Sequence, residues 1–383
     1  MVVVEVNGYT IEPGADLRGA DLEGENLIEA NLSGANLEGA KLEGADVRIA
    51  NLTKADLTGA FLCEADLFGA DLYGADLRLA DLTRARLVMA NLSGADLREA
   101  KLARAFLFGA NLEAANLNGV DLAGADLTRA KLEGADLGGA NLERANLEGA
   151  NVNGTNLERA NLERANLEGA NLKEAYLFLA KLKEANLEGA NLEGANLNGT
   201  KLGGANFQRA NLNGANLGGA DLKVADLRFT KLRKANLGGA DMRGANTVDV
   251  DLVGADLRGA NLRGANLQVD RTTVQADEHT VWPEGSAADL KRKSALLKRE
   301  AEKKAEEQKK RGATKAKADA RYQKQKELAS KEGEANARYL RSSDAVDNRD
   351  GASSPGDPGS GPNQSELCPS CGVRVRADGS CLC

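Results

Sequence analysis

The sequence is short of most of what a globular core or an active site draws on. Of its 383 residues 3% are aromatic, with one His (His279) and one Trp (Trp282). A core with so few rings must take its bulk from aliphatic side chains. With a single histidine, a Ser–His–Asp or Cys–His site has to be built around His279, and nothing near it in sequence offers the other members. No window approaches 18 consecutive apolar residues, so no membrane-spanning helix is expected. The start, Met1-Val2-Val3-Val4-Glu5-Val6, lacks the basic residues and long apolar run of a signal peptide. A net charge of -7 gives no prior for nucleic-acid binding. Cysteines number 5, and four of them fall in the last sixteen residues. Without a secretion signal, that grouping reads as a metal site in a reducing compartment before it reads as disulfides. A cytoplasmic protein is expected.

What the chain has in abundance is one motif. From Ala15 it reads ADLRG ADLEG ENLIE ANLSG ANLEG and continues to ANLQV at Val269, which makes 51 units of five residues. The central position is Leu in 46 units, the exceptions being Val47, Val152, Phe207, Met242 and Thr247. The position two before it is Ala in 45, the exceptions being Glu25, Val120, Thr155, Thr200, Thr230 and Val250. No Pro occurs in this span. On an α-helix a period of five scatters the Leu around the axis. On a flat strand it sends successive Leu to opposite faces. The pattern makes sense if the chain turns once per unit, with Leu and Ala inside and small residues, often Gly, at the corners.

Tandem A(D/N)LXX units closely resemble the pentapeptide-repeat proteins. That resemblance, and not the period, implies four units per turn: an all-β solenoid, a right-handed quadrilateral β-helix of about 12–13 coils at the inter-strand spacing of about 4.8 Å. Residues 1–14, with alternating Val4, Val6 and Ile11, read as an N-terminal cap strand. Residues 270–286 read as a C-terminal cap, since Thr280-Val281-Trp282-Pro283-Glu284-Gly285 is similar to the TxWPxG closing segment of many Leu-type members.

Beyond the repeats the chemistry changes. Ser286-Ala287-Ala288-Asp289 has capping-box form. Residues 287–341 then read as a charged α-helical segment, either a solvated single helix or a coiled-coil stalk. Between Lys291 and Lys326, 15 Lys/Arg stand against 5 Asp/Glu. This is either a solvated face or a site of contact with nucleic acid or an acidic partner. Residues 342–366 read as a flexible linker. Residues 367–383 contain Cys368, Cys371, Cys381 and Cys383. CPSCG is similar to the knuckle of a zinc ribbon, although the second pair is CxC and not CxxC. Four thiolates make a closed tetrahedral zinc site, structural and not catalytic. A free or disulfide-forming tail and a redox role are the alternatives.

With four units per turn, residues twenty apart stack. The faces that begin at Ala15, Ala20, Glu25 and Ala30 then carry net charges of -4, +1, -5 and 0. On the third, Phe68, Val88 and Phe108 occupy one outer column in successive coils, flanked by Met89 and Phe106, with Tyr73 on the neighbouring face. The expectation is an outward apolar ladder, read either as a docking or dimerisation patch or as stacked side chains that merely reinforce neighbouring coils. Tyr176, Phe178 and Leu179 form a smaller group. Carboxylates in the repeats read as solvated columns, and Cys63 as an ordinary exposed thiol. The functional reading is a non-enzymatic scaffold for a protein partner. The alternatives are a DNA-like regulator of a type II topoisomerase, an activity of some members of the family it resembles, and a nucleic-acid-associated protein acting through the basic segment and knuckle. DNA carries one charge per about 1.7 Å of axis, roughly 35 over a 60 Å rod, whereas the two acidic faces hold nine between them.

Overall fold

A computed structural model of the chain describes residues 4–268, 271–283 and 303–304. The chain divides into two units, Met1–Ala301 and Glu302–Cys383. The described part of the first is one continuous coil. Each five-residue unit makes one side, and every fourth unit stacks on itself: Asp16 bridges Asn36, Asn36 bridges Asp56, and so on by steps of twenty to Asp241 and Asn261, always in parallel. The backbone does this bonding. Leu17 N–H donates to the Asn36 carbonyl at 2.7 Å, and Asn36 N–H to the Ala15 carbonyl at 2.9 Å.

Each corner is a four-residue turn from one Leu to the next Ala, as where Ala20 N–H meets the Leu17 carbonyl at 3.0 Å. Its third residue has positive φ, which is why Gly recurs there (Gly139, φ 67) and why Arg144 (φ 58) and Met89 (φ 60) sit in a left-handed conformation. The Leu and Ala columns are buried along the coil. At roughly 1.5–3 kcal/mol per buried Leu, the core's stabilisation is spread along the stack and not centred anywhere. Where Thr replaces Ala, its hydroxyl finds a carbonyl: Thr155 and Thr230 reach Leu132 and Phe207 of the preceding coil at 2.6 and 2.8 Å, and Thr200 reaches Leu197 of its own turn at 2.7 Å.

Both ends of the core are covered. β1 (Val4–Val6) and β2 (Tyr9–Ile11) form an antiparallel hairpin, with Val4 opposite Ile11. The sequence reading had one strand here. The Asn7-Gly8 pair, with φ of 51 and 79, makes a tight turn and a second strand. Ile11 is buried, and Val6 and Tyr9 pack on the core. At the other end a 3₁₀ turn, Arg271–Thr273, leads to Gln275 and Val281, which bridge Asp256 and Asn261. Thr280 is buried and donates to the Leu257 carbonyl at 3.0 Å, and Trp282 packs on the core.

Most of the expected tail lies outside the described residues: 284–286 of the closing segment, the 287–341 segment except Lys303 and Lys304, which are helical, the 342–366 linker, and the 367–383 knuckle with Cys368, Cys371, Cys381 and Cys383. No helix among the described residues is long and apolar enough to cross a membrane.

Candidate interaction surface

The outer positions of each unit are the one before Leu and the two after it. On the third face these bring together the residues singled out from the sequence. Gly69 N–H donates to the Val88 carbonyl and Met89 N–H to the Phe108 carbonyl, both at 3.0 Å, so Phe68, Val88 and Phe108 stand in consecutive coils. Met89 and Phe106 are 58% and 48% exposed, whereas Phe68 and Phe108 are half-buried. Val88 is only 4% exposed. The expected outward ladder therefore needs correcting at its middle rung. Val88 is buried between the coils of Phe68 and Phe108 and is not a projecting contact.

The twenty-residue spacing places two further apolar residues on this face. Ile28 and Ile49 extend the strip by two coils, and both are exposed. The strip thus crosses five coils, about 19 Å at the inter-strand spacing. Arginines rim one side: Arg84 meets Glu64 at 3.2 Å, Arg86 meets Asp66 at 2.7 Å, and Arg104 is exposed. Tyr73 is exposed on the neighbouring face. Tyr176 and Leu179 are exposed beside a half-buried Phe178 on the first face, in one coil only. Exposed Val224, Phe229, Val248 and Val253, near the C-terminal end, were missed. Their signal was an apolar residue at an outer position.

Much of the remaining outer surface neutralises itself. In ADLR and related units the Asp and the Arg two residues on form paired hydrogen bonds, as in Asp96–Arg98 (2.6 Å), Asp241–Arg243 (2.7 Å) and Asp256–Arg258 (2.6 Å). The arginine hydrogen bond holds each of these carboxyls below its ordinary value. Asn columns form ladders in which each amide donates to the coil before, as from Asn166 to Asn146 (2.9 Å) and Asn186 to Asn166 (3.0 Å). On the first face Gly218 and Gly238 leave an open depression between Asn198 and Arg258.

Cys63 also needs correcting. It is half-buried and not freely exposed, and burial, followed by its hydrogen bond with Asp81, pushes the thiol up to about 11. It is a poor nucleophile at neutral pH. His279 is exposed and 3.6 Å from Glu278. No group of three metal-ligating side chains occurs among the described residues.

Comparison with known proteins follows this architecture. The family described as pentapeptide repeats matches in 8 copies, over residues 14–48, 50–84, 75–113, 107–144, 140–177, 175–214, 210–246 and 249–268. No curated protein matches the chain. Among solved structures, it is similar to HetL, a pentapeptide-repeat protein involved in heterocyst differentiation regulation from the cyanobacterium Nostoc sp. strain PCC 7120. The identity is 44% and the TM-score 0.51, over 52% of this chain and 89% of that one. QnrB1, a plasmid-mediated fluoroquinolone resistance protein, is 17% identical with a TM-score of 0.22, over 52% of this chain and 87% of that one. Rfr23 from the cyanobacterium Cyanothece 51142 is 29% identical with a TM-score of 0.17, over 36% and 90%.

Proposed function

The chain belongs to the pentapeptide-repeat family, whose fold is the right-handed quadrilateral β-helix, and from that premise we propose that it is a non-enzymatic scaffold that binds protein through the third face. One observation carries the reading: Met89 and Phe106 are exposed together beside half-buried Phe68 and Phe108, in a strip that runs over five coils of one face. Contiguous apolar surface of this kind marks contact sites, and aromatic and Met side chains are enriched where interfaces form.

Resemblance in charge to duplex DNA is less well supported. The acidic faces hold nine net charges, against the roughly 35 of a DNA stretch of the same length, and arginine pairing blunts them further. In the tail, the proposal is that Cys368, Cys371, Cys381 and Cys383 hold a structural zinc, for which four thiolates are a suitable donor set.

The test of the scaffold reading is affinity capture from native extract with full-length protein, wild type against Met89→Lys/Phe106→Lys. Loss of the specifically captured proteins, with an unchanged circular dichroism spectrum, supports it. Identical capture by both removes the third face from the function.

A further inference from the structure

Resting on that reading of the third face, we propose that the strip receives a second copy of this chain, packed antiparallel about a two-fold axis that passes between the coils of Phe68 and Val88. Such an axis lies in the interface, perpendicular to the coil axis. It sets each outer column against the same column and reverses the order of coils, as an isologous contact requires.

Units 65–69 and 85–89 then face each other, as do 45–49 and 105–109, and 25–29 and 125–129. The pairings bring the apolar side chains of the two strips together. Phe68 lies over the coil of the partner subunit's buried Val88. Met89, whose sulfur already lies over Gly109 of its own chain, meets the partner subunit's Gly69 and the partner subunit's Ile49 that covers it.

Charge follows the same rule. On the rim, Glu64 and Asp66 lie in one coil and Arg84 and Arg86 in the next, already paired within the chain. The two-fold sets Glu64 against the partner subunit's Arg84, and Asp66 against the partner subunit's Arg86. Two ion pairs become a patch of alternating sign across the interface. Further out, Glu29 faces the partner subunit's Arg129. Arg48 faces the ring of the partner subunit's Phe108, a cation–π arrangement. A parallel pair, made by a two-fold along the coil axis, would instead turn each column onto a different one, so Asp66 and Arg86 would face apolar positions and meet no opposite charge across the interface. The acid-then-arginine order along the coil therefore favours the antiparallel copy.

The test is sedimentation equilibrium of the full chain at micromolar concentrations. Wild type is expected to be a dimer. Arg84→Glu/Arg86→Glu sets acid against acid at both ends of the patch and should weaken the dimer by at least about 100-fold. The full exchange, Glu64→Arg/Asp66→Arg with Arg84→Glu/Arg86→Glu, restores opposite signs and should bring the dimer back to within about 10-fold of wild type. Circular dichroism confirms that each variant is folded. A monomeric wild type overturns the proposal. So does a dimer indifferent to the reversal, or a folded exchange variant that stays monomeric. If wild type is monomeric yet Met89→Lys/Phe106→Lys still abolishes capture of another protein, the self-contact falls and the scaffold reading stands.

Discussion

Gly138 and Gly139 are neighbours on the first face, and the same substitution at each tests opposite halves of the argument about corners. Gly139 has φ 67, and a Cβ built on it meets nothing within 4 Å. Gly139→Ala therefore isolates the backbone term. A left-handed non-Gly residue costs about 1–2 kcal/mol, and replacing Gly returns about 0.4–1 kcal/mol by restricting the unfolded chain. The net is a local loss of roughly 0.5–1 kcal/mol. Gly138 is not left-handed, but its Cβ would lie 2.8 Å from Asn118 Nδ2 and 3.1 Å from Asp136 Oδ1. That Asp136 oxygen accepts from Asn156 Nδ2 at 2.7 Å and from Gly138 N–H at 3.0 Å. Gly138→Ala therefore acts by displacing the amide ladder, at about 0.5–1.5 kcal/mol per hydrogen bond weakened. Hydrogen exchange read by mass spectrometry separates the two. Gly139→Ala should speed exchange across its own and the adjoining coils about 2- to 5-fold, the equivalent of 0.5–1 kcal/mol. It should leave the Asn118–Asn156 column in place, whereas Gly138→Ala should disturb that column in a crystal structure. Arg144→Gly, which relieves a φ of 58 one corner along, should be neutral or slightly stabilising. A Gly139→Ala protein as protected as wild type, or an Arg144→Gly protein that loosens as much as Gly139→Ala, would refute the account of how the corners are made.

Other expectations follow from the same structure. Leu147 is fully buried between Leu above and below, which limits collapse, so Leu147→Ala should cost about 3 kcal/mol in chemical denaturation. Asp96, Asp241 and Asp256 are held below the ordinary 3.8 by hydrogen bonds from Arg98, Arg243 and Arg258. Their contribution to stability is complete above 3.8 and is lost as pH falls through the lower folded values, so the thermal midpoint should be level at mildly acid pH and drop below about pH 4. With its thiol raised from 9.0 to about 11, Cys63 should be alkylated at pH 8 about 100-fold more slowly than an unfolded-state cysteine, as peptide mapping would show. Elemental analysis of the full chain should find one zinc, and Cys368→Ser together with Cys371→Ser should remove it.

The interior was legible because Leu and Ala recur without a gap, and a period that suits neither helix nor flat strand leaves only a chain that turns. The outer surface was legible in part. Column sorting brought Phe68, Phe106 and Phe108 to one face, but composition says nothing about relative reach. It did not reveal that Val88 would sit below its neighbours, or that Cys63 would be shielded. Net charge per face also hid local pairing: ADLR contributes nothing to the sum, yet it places a carboxylate and a guanidinium in contact. The cap hairpin was half-read, because the alternating valines were noticed and the Asn7-Gly8 turn between them was not.

The bridging step of twenty has a bearing on how such a chain can change length. Removing five residues leaves the Leu and Ala lining continuous, so the interior registers no fault. Everything downstream, however, is turned by a quarter revolution relative to everything upstream. Columns that ran straight become dislocated at the join, and an acidic coil finds itself beneath a different neighbour. Only losses or gains of twenty residues preserve the alignment of one side along its whole length. Insertion size therefore works as an angular setting, and duplications of whole turns lengthen the molecule while its patterned sides stay in phase.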